Sequence, residues 1–119
     1  EISQNNEDAA QYDTRNLGNI DRGNGAKGVI SVLSNVAPKQ THDICAKFME
    51  GKIEEARQMQ FDALELVNAL FCEVNPIPVK HALNLMGMEV GPLRMPLCPM
   101  EEANLERLKK AMVNYGILN

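Results

Sequence analysis

The chain is poor in the features that usually announce a chemistry, and each shortage excludes something. It has two histidines, His42 and His81, far apart and in no His-x-x-x-His pair. A zinc site needs three or four converging ligands, so neither reads as one, even with Glu73 or Cys72 added to His81. The three cysteines, Cys45, Cys72 and Cys98, are dispersed with no Cys-x-x-Cys spacing. They read as reduced, buried thiols of a cytoplasmic protein. Gly18, Gly23, Gly25 and Gly28 do not form Gly-x-Gly-x-x-Gly after a strand, so a dinucleotide site is unsupported and no cofactor is expected. Positive charge is in deficit: 12 Lys and Arg stand against 16 Asp and Glu, a net charge of −4. With no basic stripe interleaved with aromatics, no nucleic-acid partner is expected. Apolar runs such as Gly28–Leu33 are far too short to cross a bilayer, and the first residues lack a charged-then-apolar leader pattern. No membrane partner is expected either.

What is present suits one modest domain: 119 residues, 45% of them apolar and 24% charged. The composition changes at about Gly25. Residues 1–25 are rich in Asn, Asp, Gln and Gly, with Ile2, Leu17 and Ile20 as the large aliphatics. Such a segment buries too little to offset its ordering entropy, so it reads as a polar tail, with at most a frayed helix over Ile2–Tyr12. Gly28–Ser34 is short, β-branched and apolar on both faces, which predicts a buried parallel strand. Pro38 then opens a helix to about Glu50, with Ile44, Cys45, Phe48 and Met49 as its apolar stripe and Gly51 as its cap. A second helix is expected over Ile53–Phe71, with Glu54 and Glu55 in its first turn and Ile53, Ala56, Met59, Ala63, Leu66, Val67 and Leu70 inward. Asn75-Pro76-Ile77-Pro78 interrupts the pattern. A third helix carries Val79, Ala82, Leu83 and Met86 to Gly87, and a last one spans about Glu101–Tyr115. One strand and four helices leave the strand without a ladder partner, so its neighbours are expected outside these residues.

The groups able to do chemistry have simpler explanations. A Schiff-base lysine must be desolvated and suitably placed. Lys27 enters the strand at the end opposite to where parallel β/α folds collect their chemistry. Lys39 lies in a first helical turn, and Lys80 reads as a surface or interface residue. His42 beside Asp43 is a solvated polar pair. Glu54-Glu55 and Glu101-Glu102 complement helix dipoles without invoking paired acid–base work. Ser34-Asn35, just beyond the strand, is the best-placed polar pair, and capping the next helix accounts for Asn35. The seven methionines fill helical apolar faces.

Four segments together carry a resemblance: Gly28-Val29-Ile30-Ser31-Val32, Asn35-Val36-Ala37-Pro38, Phe71 to Gly87 with Asn75-Pro76-Ile77-Pro78-Val79-Lys80, and Leu93-Arg94-Met95-Pro96-Leu97. From about Ala26 to Asn119 the chain resembles the dihydrodipicolinate synthase family. These are pyruvate-dependent class I aldolases, grouped with N-acetylneuraminate lyase. The resemblance implies an α/β fold, a (β/α)8 TIM barrel with a C-terminal helical subdomain, usually in a homotetramer. Residues 26–51 would be the last strand and helix of the barrel and 52–119 the helical subdomain, so the chain alone would be mainly α.

In that family a strand-borne lysine forms a Schiff base with pyruvate. The enamine attacks aspartate semialdehyde, a tyrosine–threonine relay moves protons, and an arginine holds the second substrate. The resemblance places all of these outside this chain and carries over Ile30 alone, as a border of the pyruvate subsite. Glu1-Ile2-Ser3-Gln4 and Leu17-Gly18-Asn19 resemble family segments only faintly, with too little chain between them, and take no roles. Cys98 stands where the family commonly has a hydroxyl before Pro, which implies a weaker helix cap. The resemblance thus implies an inactive C-terminal part of a lysine- and diaminopimelate-pathway lyase. The reading set against it is a non-catalytic helical module that associates with a partner or with full-length subunits.

Overall fold

The chain is seen here as a computed structural model that describes residues 29–119. The polar tail, the expected helix over Ile2–Tyr12, Lys27 and Gly28 lie outside the described residues. Those described form α1 (Leu33–Val36), α2 (Pro38–Met49), α3 (Ile53–Leu70), α4 (Ile77–Leu85) and α5 (Glu102–Tyr115).

The described part of the expected strand is not a strand. Val29–Val32 join no ladder, and Leu33 and Ser34 belong to α1. A run with no sheet edge beside it turns to local partners for its polar groups. Ser31 Oγ accepts the Ser34 N–H at 3.2 Å, and Ser34 Oγ donates to the Ser31 carbonyl at 2.8 Å. The Asn35 backbone N–H and Nδ2 both donate to the Val32 carbonyl at 3.1 Å. Asn35 therefore lies inside α1 and does not cap α2, whose N-cap is Ala37 without a side-chain bond.

The four longer helices lie within a residue or two of their expected bounds. Pro38 opens α2, where its missing N–H has no partner to lose. Thr41 and Ile44 form the buried face of α2, with Thr41 Oγ1 donating to the Ala37 carbonyl at 2.9 Å. Met49 was expected on that face but is 68% exposed. Five residues beyond Ile44, it points about 140° around the helix from it. The end of α2 is a reciprocal cap: the Gly51 N–H donates to the Phe48 carbonyl and the Lys52 N–H to the Lys47 carbonyl. This motif needs a left-handed residue, and Gly51 has φ +82°. The same pair of bonds ends α4, with Gly87 at φ +87°.

Two compact units divide the chain, the first ending at Asp62 and the second running Ala63–Asn119. In the first, α1 packs on α2, and Leu33, Val36 and Ile44 are almost fully buried. In the second, α4 packs on α5. Leu66, Leu70, Leu108 and Met112 are completely buried there, with Ala82 beside them in exposure. Asn114 Nδ2 on α5 reaches both carboxylate oxygens of Glu65 on α3 at 3.3 Å. The Asn75–Pro76 and Met95–Pro96 peptide bonds are cis. Across the first junction burial switches abruptly: Asn75 and Pro76 are exposed, whereas Ile77, Pro78 and Val79 are buried.

Candidate functional site

In the second unit, polar groups on α4 and on the segments either side of it have defined partners. Helix α4 begins directly after Pro76, and its apolar positions Ile77, Val79 and Ala82 face inward. That leaves Lys80, His81 and Asn84 for the adjoining loop. Lys80 Nζ donates to the Pro92 carbonyl at 2.8 Å. Asn84 works in both directions, its Nδ2 donating to the Gly91 carbonyl at 3.0 Å and its Oδ1 accepting the Val90 N–H at 2.9 Å. His81 Nε2 accepts the Met100 N–H at 3.2 Å. Three neighbours on one helix thus fasten a proline-rich loop at both ends. Together with Gly91, Pro92, Leu93 and Pro99 they line a cleft of ≈ 230 Å³.

Glu73 ties the turn before α4 to the start of α5. Its Oε2 accepts the Glu101 N–H at 2.9 Å and Asn104 Nδ2 at 3.0 Å. A carboxylate at a helix N-terminus satisfies an orphan donor and complements the dipole. Glu101 itself offers α5 no capping side chain, so Glu73 supplies the cap from outside the helix. Cys98 is exposed and lies three residues before that cap, so the thiol has no capping duty.

None of the three cysteines is fully buried, contrary to expectation: Cys45 and Cys72 are half-buried and Cys98 is exposed. Cys45 lies on α2, whose buried face is Thr41 and Ile44, while Cys72 and Cys98 lie in the segments between helices. Burial pushes the Cys72 thiol pKa above its ordinary value; Arg107 pulls against this and Glu73 adds to it. The folded state therefore favours the thiol. The stability this contributes is complete below the unfolded thiol pKa and fades as pH rises through the folded one. Thiolate is the reactive form, so at pH 8 iodoacetamide is expected to modify Cys98 well before Cys72. Peptide mass mapping of a time course reads the order, and equal rates would contradict this environment for Cys72.

The other residues singled out from the sequence do not converge. Ile30 is 54% exposed, on a stretch with no regular structure. His42 is solvated, with Nδ1 3.4 Å from Asp43. Glu54 and Glu55 make exposed pairs with Arg57 and Lys47 at 3.6 Å. Lys39 is exposed. Among the described residues no group of three His, Cys, Asp or Glu side chains can hold a metal ion, and no helix is long and apolar enough to cross a membrane. Sequence reasoning missed Glu73 and Asn84. For Asn84 a signal existed, because it stands one turn after Lys80 and just before the Gly87 stop; for Glu73 none did.

Comparison with known proteins fits this arrangement of helices. Residues 19–114 match the model of the Dihydrodipicolinate synthetase family. The 4-hydroxy-tetrahydrodipicolinate synthase of Clostridium novyi (strain NT) is 58% identical over 92 residues, which cover 77% of this chain and 31% of the relative. That of Acetivibrio thermocellus is 54% identical over 94 residues, covering 79% of this chain and 32% of the relative. The crystal structure of dihydrodipicolinate synthase from Thermotoga maritima superposes with a TM-score of 0.83 at 44% identity, over 90% of this chain and 36% of that one. The chain thus spans about a third of the length of the relatives it matches, and it carries a largely helical part of their barrel fold. On the family match and these identities, the chain belongs to the dihydrodipicolinate synthetase family.

Proposed function

We propose that this chain is the C-terminal portion of a 4-hydroxy-tetrahydrodipicolinate synthase and that these 119 residues do not catalyse the reaction by themselves. The complete protein is a cytoplasmic homo-oligomer on the route to lysine and diaminopimelate. It condenses pyruvate with aspartate semialdehyde through a lysine Schiff base. In it, residues 26–51 complete the barrel with its last strand and helix, residues 52–119 form the helical subdomain, and Ile30 borders the pyruvate subsite.

The observation that carries the reading is the state of the lysines. An amine that attacks a ketone must be held unprotonated, which proteins achieve by burying it or by setting another cation beside it. None of the described lysines is buried. Lys47, Lys52 and Lys109 form ion pairs with Glu55, Glu50 and Glu106. Lys80 is held by a carbonyl. The match to about a third of each relative supports the same reading.

Association with a partner or with full-length subunits is compatible with it. Large apolar side chains stand exposed in each unit, Phe61 at 61% in the first and Val74 at 67% in the second. Incubating the chain with pyruvate and aspartate semialdehyde is expected to consume neither substrate above a protein-free control. Turnover that scales with the amount of chain would overturn the proposal.

A further inference from the structure

The cleft between α4 and its loop has a polar lining made of donors. Lys80 Nζ spends one N–H on the Pro92 carbonyl and keeps two. Asn84 Nδ2 spends one on the Gly91 carbonyl and keeps one, while its Oδ1 is taken by the Val90 N–H. His81 Nε2 accepts from the Met100 N–H, so the neutral ring carries its proton on Nδ1 as a further donor. The carbonyls of Gly91 and Pro92 are already engaged. Among the described residues no Asp or Glu lines the cleft, Glu89 of the same loop included. Among the described residues Lys80 enters no ion pair, although it is half-buried. Pro92, Leu93 and Pro99 supply the apolar part of the wall.

A solvent-facing ammonium beside spare N–H donors, with no described acid opposite, is complementary to an anion. A charge-assisted hydrogen bond is about twice as strong as a neutral one. At ≈ 230 Å³ the cleft is smaller than the roughly 300–1,000 Å³ of sites for drug-sized ligands. We propose that it binds a small organic carboxylate, with the anion on Lys80, the His81 Nδ1–H and the spare Asn84 N–H, and the apolar body on Pro92, Leu93 and Pro99.

Benzoate is the probe, titrated at low salt into the 15N-labelled 119-residue chain. Saturable shifts are expected at the amides of Lys80, His81, Asn84 and Leu93. Benzamide has the same shape without the charge and is expected to bind about tenfold more weakly or worse, as the loss of a charge-assisted bond requires. Lys80→Met is expected to weaken benzoate by a similar factor, and Lys80→Arg to retain more affinity than Lys80→Met. Should Lys80→Met disturb the loop by losing its bond to Pro92, benzamide and Lys80→Arg still separate charge recognition from shape. Benzoate that leaves these amides unmoved, or benzamide that binds as tightly as benzoate, would overturn the proposal.

Discussion

Leu108→Ala is expected to destabilise the second unit by about 3 kcal/mol, within the roughly 2–5 kcal/mol typical of removing a buried leucine side chain. Leu108 is completely buried. It leads the inward face of α5, followed one turn later by Ala111 and Met112, which are equally enclosed. Helix α4 packs on α5 and brings its own buried residues, Ile77, Val79 and Ala82. Deleting the isobutyl group removes its transfer free energy and leaves a void that short helices can close only in part. Small domains carry about 5–15 kcal/mol in all, so the loss is a large fraction of what is available. Urea titration followed by helical ellipticity reads it as a drop in midpoint with little change in slope. Val113→Ala on the same helix is the control. Val113 is 49% exposed, and its truncation is expected to cost less than about 0.5 kcal/mol. Equal costs at the two positions would contradict the burial assigned to α5.

Glu73→Ala is the second large effect, with an expected cost of about 1–2 kcal/mol. One carboxylate oxygen serves the Glu101 N–H and the Asn104 side chain at once. Its removal leaves a helix start with no capping side chain of its own. Glu73→Gln keeps an acceptor in reach and gives up the charge, so it is expected to lie between Ala and the native residue. Both variants are expected to speed hydrogen exchange at the Glu101 amide, while amides in the interior of α2 stay unchanged. A Glu73→Ala protein with native stability and native Glu101 protection would show that α5 is capped some other way.

The helices were legible because their signals are local. Apolar spacing, Pro38 at a first turn, and Gly51 and Gly87 at the ends mark α2, α3 and α4 to within a residue or two. What was not legible depends on partners distant in sequence or absent from these residues. Val29–Ser34 has the composition of a buried strand, but a strand exists only through its neighbours; without them the Ser31, Ser34 and Asn35 side chains turn the backbone into α1. From the sequence Glu73 reads only as a dismissed metal partner of His81, since its role comes from an amide 28 positions away. Lys80 reads from the sequence as a surface or interface residue, and its tie to Pro92 depends on a loop path that no periodicity encodes. The Asn-Pro-Ile-Pro stretch carried part of the family resemblance in the sequence. Structurally it is the point where an exposed turn hands over to the buried start of α4.

The central claim is that the Schiff-base lysine of the condensation is not among these residues. Incubation of the chain with pyruvate and sodium borohydride, followed by intact-mass measurement, tests it most directly, because a reduced imine stays covalently attached. The unmodified mass alone is expected. A stoichiometric reduced pyruvyl adduct that maps to a single lysine would contradict it.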